Sequence, residues 1–201
     1  MDLILVRNGR TDAAPGLCLG QADLPLSSRG FTDVQQLAAT WTGPAPRFLF
    51  SSDLRRAQQS AQIFASAFAI EPLADARLRE TDYGRWNGRH WQEVIRAEGA
   101  GYRHWLDNWV IQEAPEGESF ADVVRRTGAW LAALIGSTAD DDCVLAVAHA
   151  GSIRALLCHA FGLPPDRALT IGVDESRVCR VRCASGQFEV RYLNATRFEP
   201  A

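Results

Sequence analysis

Leu3-Ile4-Leu5-Val6-Arg7-Asn8-Gly9-Arg10-Thr11 opens the chain with four apolar residues that stop abruptly at an arginine. A run this short reads as a strand buried on both faces rather than a helix. In α/β proteins the chemistry sits beyond the carboxyl ends of such strands. Arg7 and Asn8 are therefore the first candidate site residues. Gly9 lets the backbone turn tightly or approach a ligand closely.

The same grammar recurs along the chain. Arg47–Ser51 and Cys143–Ala148 read as further buried strands, and Glu71–Arg79 holds a short one. Helical periodicity fills the intervals. Phe31, Val34, Leu37, Ala38 and Trp41 mark a helix over Arg29–Thr42, capped by Ser27 or Ser28 and stopped by Thr42–Pro46. Leu54, Ala57, Ala61, Phe64 and Phe68 mark one over Asp53–Phe68. Ser119 and Asp122 form a capping box before an apolar face running from Phe120 to Leu134. A last helix follows His149 and ends at Gly162. Ala168–Val173, Arg177–Ala184 and Gln187–Leu193 look like three strands, the last two joined by a turn at Ala184–Gln187. Alternating strands and helices imply an α/β fold with a mostly parallel central sheet.

Two positions carry an electrostatic argument. Arg55 and Arg56 fall in the first turn of their helix, where cations oppose the helix dipole at about a few tenths of a kcal/mol each. That placement makes sense if an anion sits in front of the helix. His149 lies between a buried strand and a helix N-terminus, also a place to meet an anion.

The chain has 201 residues, 22% charged and 47% hydrophobic, which suits one soluble domain, 1–201. The net charge of −3 gives no reason to expect nucleic acid or an anionic membrane as partner. No apolar stretch approaches the ~18 residues of a membrane helix, and no signal peptide precedes the first strand. The 5 cysteines are scattered without zinc-ligand spacing, so a reducing, cytoplasmic setting is expected.

Five separated elements, in order, resemble the histidine phosphatase (phosphoglycerate mutase-like) superfamily. They are Leu5-Val6-Arg7-Asn8-Gly9-Arg10-Thr11, Gly20–Ser27, Ser51–Ala61, Leu78–Gly88 and Val147–Arg154. The resemblance implies a three-layer α/β/α sandwich, mostly parallel in its sheet, with a small helical cap at about 83–110. It implies phosphomonoester hydrolysis without metal or cofactor. Arg7 and Arg56 would hold the phosphate with bidentate, charge-assisted bonds. His149 would stabilise its equatorial charge. Glu80 would protonate the leaving oxygen and then activate water. Thr11, Gln21, Trp86 and Ala150 are expected on the substrate side.

One departure governs the activity. Asn8 stands where the family has its nucleophilic histidine. The amide nitrogen lone pair is delocalised into the carbonyl, so Asn8 can hydrogen-bond a phosphate oxygen but not attack phosphorus. An engineered substitution in an active phosphatase and a natural non-catalytic relative both fit.

Within the superfamily, Gly16–Ser27, Gly84–Val94 and Gly117–Phe120 most resemble α-ribazole phosphatases of cobalamin biosynthesis. Broad-specificity phosphatases share much of this pattern, and a silent phosphometabolite-binding protein is the alternative of a different class. The expected partner is a small phosphorylated metabolite, bound by a monomer or homodimer. Four of the 6 tryptophans lie between Tyr83 and Trp109. These rings read either as the core of the cap or as a stacking surface for a heteroaromatic base. His90 and His104 lie in the same stretch.

Overall fold

The structure is a computed structural model describing residues 1–43 and 45–198. Its strands are β1 (Asp2–Arg7), β2 (Phe48–Ser51), β3 (Pro72–Ala74), β4 (Cys143–Ala148), β5 (Val178–Ala184) and β6 (Gln187–Ala195). They form one sheet in the order β3-β2-β4-β1-β5-β6. The first four run parallel, and β5 and β6 add an antiparallel edge. The helices are α1 (Ser28–Ala38), α2 (Arg55–Phe68), α3 (Trp91–Glu98), α4 (Ala100–Asn108), α5 (Phe120–Ile135) and α6 (Ala150–Phe161). None is long and apolar enough to cross a membrane among the described residues.

The period of two in β1 builds the three layers. Leu3 and Leu5 pack with Trp130, Leu131, Ile153 and Leu156 of α5 and α6. Ile4 and Val6 point the other way, onto Val34, Leu37, Ala61 and Phe64 of α1 and α2. Both faces are therefore apolar, as the opening run predicts. Each such side chain, fully buried, contributes about 1.5–3 kcal/mol.

Close backbone approach seats α1 beside the exit of β1. A Cβ on Gly30 would lie 2.1 Å from Arg10 O, and one on Gly9 would lie 2.7 Å from Gly30 O. The close approach that Gly9 permits is thus to a helix. Ser27 caps α1 by accepting from Gly30 N at 2.9 Å. At α5 the capping box is complete: Ser119 Oγ accepts from Asp122 N, and Asp122 accepts from Ser119 N at 3.0 Å.

One helix end, one side chain and one strand differ from expectation. α1 stops at Ala38 rather than Thr42. Thr40 turns its hydroxyl back onto Leu37 O and accepts from Phe198 N, so Trp41 leaves the helix to meet Phe68 and Phe198. Phe31, expected on the apolar face, is 45% exposed. Of the Thr42–Pro46 stop, Pro44 lies outside the described residues. The strand expected at Ala168–Val173 is instead the end of a 3₁₀ helix, Pro165–Thr170. Proline cannot donate to a sheet ladder, and its fixed φ suits a first helical turn. The hairpin between β5 and β6 turns at Ser185 and Gly186, both with positive φ, as a type I′ turn requires.

The cap is α3, α4 and a short 3₁₀ turn, Gly84–Trp86. It has its own core of Cys18, Trp86, Val94 and Ala114, ringed by Tyr83, Trp91, Tyr102 and Trp105.

Gly30→Ala should lower unfolding free energy by at least about 2 kcal/mol, because backbone must move to admit a methyl group. Ser119→Ala should lower it by about 1 kcal/mol. Urea denaturation checks both, with the slope of the transition unchanged. A Gly30→Ala protein as stable as the parent would contradict the packing described.

Candidate active site

β1, β2 and β4 are parallel neighbours, so their carboxyl ends open on one side. There the structure gathers the side chains singled out in the sequence. Arg7 and Asn8 leave β1, Arg56 comes from the first turn of α2, Glu80 follows β3, and His149 leaves β4. All five line one cavity of about 210 Å³, together with Cys18, Tyr83, Trp91 and Glu175.

Arg56 lies at the centre, only 1% exposed. Its Nη1 donates to Ala22 O at 2.8 Å, its Nη2 to Gly20 O at 2.6 Å, and its Nε to His149 Nδ1 at 3.3 Å. At least two of its five N–H bonds remain for a ligand. Burial pushes its pKa down from the usual guanidinium range, with Glu80 and Asp23 opposing that shift and Arg7 adding to it. The expected anion in front of α2 is part of the protein. Asp23 accepts from Arg55 N at 2.7 Å and caps a helix whose N-cap residue, Leu54, has no capping side chain. Arg55 itself is exposed, as expected for the neighbour of a buried arginine.

The Arg56 bond decides the state of His149. Since Nδ1 accepts a hydrogen bond, the neutral ring carries its proton on Nε2. That Nε2 is buried and has no partner among the described residues. His149 is 1% exposed, and its pKa is held well below 6.5 by burial first, then by Arg56, Arg7 and Arg126. The free protein thus offers a neutral imidazole with an unused donor.

Glu80 sits against the N-terminus of α6. Its Oε2 accepts from Gly151 N at 3.1 Å and its Oε1 from Thr81 N at 2.8 Å. A Cβ on Gly151 would lie 2.1 Å from Glu80 Oε1, so only glycine leaves room for the carboxylate. Behind it, Arg126 donates to Arg77 O, Arg79 O and Glu80 O and forms a bidentate pair with Glu118. Gln21 Nε2 donates to Glu80 O at 3.0 Å. Gln21 therefore supports the Glu80 backbone and does not line the cavity.

Arg7 donates through Nη1 to Val173 O at 2.8 Å. Asn8 is 5% exposed, held by its backbone N–H to Ala148 O and by Nδ2 to Gly9 O at 2.8 Å.

Across Glu80 and Tyr83 lies a second, more apolar cavity of about 240 Å³, which Ala150, Trp105, Trp109 and Arg154 help to line. The other substrate-side expectations move. Trp86 is 1% exposed inside the cap core and lines neither cavity. Thr11 is buried, and its hydroxyl accepts from Ala13 N. His90 bonds Pro15 O and caps α3, and His104 lines a groove on the outside of the cap. Sequence reading missed Glu175, which lies in no motif, and gave no role to Cys18 and Arg154, which lie in the Gly16–Ser27 and Val147–Arg154 elements; Tyr83 was read only as one ring of the Tyr83–Trp109 stretch. Cys18 is a buried thiol pushed up to about 12 by burial and by Glu80. Among the described residues no cluster of three His, Cys, Asp or Glu is placed to hold a metal.

The sequence profile of the histidine phosphatase superfamily (branch 1) matches residues 3–196. The chain is 28% identical over 176 residues to the adenosylcobalamin/α-ribazole phosphatase of Escherichia coli, covering 87% of this chain and 86% of that protein. It is 33% identical over 178 residues to the glucosyl-3-phosphoglycerate phosphatase of Mycolicibacterium vanbaalenii, covering 85% and 78%. The crystal structure of the α-ribazole phosphatase from Shigella flexneri superposes with a TM-score of 0.92 over 100% of both chains at 25% identity. The profile spans almost the whole chain and the sandwich superposes along its full length, so the chain belongs to the histidine phosphatase superfamily.

Proposed function

We propose that the 210 Å³ cavity binds the phosphoryl group of a phosphomonoester and that its frame is built for hydrolysis through a phosphohistidine. The observation that carries this is the buried, unpartnered Nε2 of His149 beside two arginines with N–H groups to spare. A buried donor left unsatisfied costs about 1–3 kcal/mol, which a phosphate oxygen would recover. Arg7 and Arg56 supply the positive charge. Glu80 reaches the cavity edge where the ester oxygen would leave, and acts as general acid and then general base. No metal or cofactor enters this scheme.

Asn8 holds the nucleophile's position but cannot attack phosphorus. Cys18 offers no substitute, because a thiol at about 12 supplies almost no thiolate near neutrality. The chain as it stands therefore binds its substrate and turns it over poorly or not at all. A standing role as a non-catalytic phosphometabolite binder is the second reading, favoured by Asn8 alone.

For the substrate we infer a phosphomonoester with a flat apolar group, such as α-ribazole 5′-phosphate. Its ester oxygen would lie near Glu80, and the base would enter the second cavity against Trp105 and Trp109. The relative acting on α-ribazole supports this reading; the glucosyl-3-phosphoglycerate relative supports a sugar phosphate or broad specificity instead. The reaction would take place in the cytoplasm, and one chain supplies every residue in the scheme, so monomer and homodimer serve equally.

Binding should take up a proton. An arriving dianion gives His149 the counter-charge it lacks, so its pKa rises and affinity increases as pH falls. Sulfate keeps its charge across this range and isolates the effect. Calorimetry should find sulfate binding tighter at about pH 5.5 than at about pH 8, with proton uptake that His149→Gln abolishes. Affinity independent of pH would remove His149 from the anion site.

Asn8→His should raise phosphomonoester turnover by orders of magnitude and yield an acid-labile phosphoenzyme. A folded, phosphate-binding Asn8→His protein that never forms the phosphoenzyme would favour the non-catalytic reading.

α-Ribazole 5′-phosphate should bind this chain about five- to a hundredfold tighter than ribose 5-phosphate, the value of stacking one base. Trp109→Leu or Trp105→Leu should erase that ratio, while Trp86→Leu should lower stability without changing it. Equal affinity for the two ligands would leave a broad-specificity frame as the better description.

A further inference from the structure

Glu175 is a carboxylate that none of the chemistry above uses, yet it lines the phosphate cavity. Its Oε1 lies 3.8 Å from Arg7 Nη2 and its Oε2 3.2 Å from Arg10 Nε. It also lines a larger polar cavity of about 790 Å³ on its outer side, shared with Arg7, Arg10 and Arg177. Glu175 and Arg7 together form the wall between the two cavities.

The loop that carries Glu175 is tied down from both sides. Ser176 has φ 54, unfavourable for a residue with a side chain, and its N–H reaches Arg7 O and Asn8 O. Arg7 Nη1 holds Val173 O, and Asp174 and Asn194 bond each other, Asn194 Oδ1 accepting from Asp174 N at 2.7 Å. Glu175 is therefore presented at a fixed place.

A charge count shows what it does there. The cavity holds the cations Arg7 and Arg56 against the carboxylates Glu80 and Glu175, with His149 neutral. A bound phosphate dianion matches the two arginines, so Glu80 and Glu175 leave the occupied cavity net negative even when His149 takes up a proton. The next cation outward, Arg10, is taken by Glu175. On the wall formed by Glu175, a second negative group next to the phosphate would meet a carboxylate whose neighbouring guanidinium is already engaged, while Arg154 lines the second cavity across Glu80 and not this wall.

We propose that Glu175 is a specificity-determining residue that rejects phosphomonoesters bearing a second anionic group beside the phosphate. The inference rests on the phosphate-cavity reading above and narrows its substrate class to esters that are neutral or cationic near phosphorus.

The test compares 2-phosphoglycerate with glycerol 2-phosphate, which differ only in a carboxylate replaced by a hydroxymethyl group. Affinities are measured by calorimetry for this chain and for Glu175→Gln, with inorganic phosphate as reference and with folding checked by thermal melting. This chain should favour glycerol 2-phosphate about tenfold, the scale of a partly solvated like-charge contact. Glu175→Gln should bring the ratio close to one. The native ratio should also shrink as salt is raised from about 0.01 M to about 1 M, since screening weakens a Coulombic filter and leaves a steric one unchanged. If inorganic phosphate binds but the ratio is the same in both proteins, or ignores salt, the role of Glu175 is overturned and the cavity reading stands. If inorganic phosphate binds neither protein, the cavity reading falls and this inference with it.

Discussion

A single buried guanidinium ties the site together. Arg56 is surrounded by protein, and an unpaired charge there would cost several kcal/mol. Its solution is to bind three groups on two other segments: the carbonyls of Gly20 and Ala22 and the ring of His149. The loop Gly20–Ser27 is held further by Asp23 on α2 and by Gln59 on Leu26 N. This loop meets the cavity at Gly20, next to Cys18 and Leu19. The same guanidinium sets the tautomer of His149 and adds to the burial that holds its pKa down.

The carboxylate side obeys a steric constraint of the same kind. Glu80 can approach the N-terminus of α6 only because Gly151 has no side chain. Its backbone is held in place by Arg126 and Gln21, which come from α5 and from the loop before α1. Cations and carboxylates in the cavity are matched nearly one for one, which keeps the empty pocket from accumulating uncompensated charge. The unmatched element is the donor on His149. On the proposed reading, the phosphate-binding side chains are present and an amide, Asn8, holds the nucleophile's place.

Much of this was legible in the sequence. Four apolar residues before Arg7 required a strand buried on both faces, and the layers follow from its alternation. Ser119 with Asp122 marked its helix start, and Arg7, Arg56, Glu80 and His149 stood in motifs at or near the ends of the elements that converge. Local pattern suffices there because period, capping and strand ends are properties of neighbours in the chain. The sequence likewise determined that residue 8 is an amide, and so what it cannot do.

What tertiary structure decided concerns residues whose meaning depends on distant partners. Trp86 and Trp109 look alike in sequence, yet one is sealed in the cap core and the other faces a cavity. Gln21 and Thr11 sit in motif positions, but Gln21 bonds Glu80 O and the Arg79 side chain and Thr11 bonds Ala13 N. Glu175 lies in no motif and reaches Arg7 only because β5 runs antiparallel beside β1, bringing the loop before it over the end of that strand. The protonation of His149 depends on which of its nitrogens Arg56 occupies, 93 residues away in the chain. Side-chain burial and charge pairing are set by three-dimensional neighbours, and no periodicity along the chain encodes them.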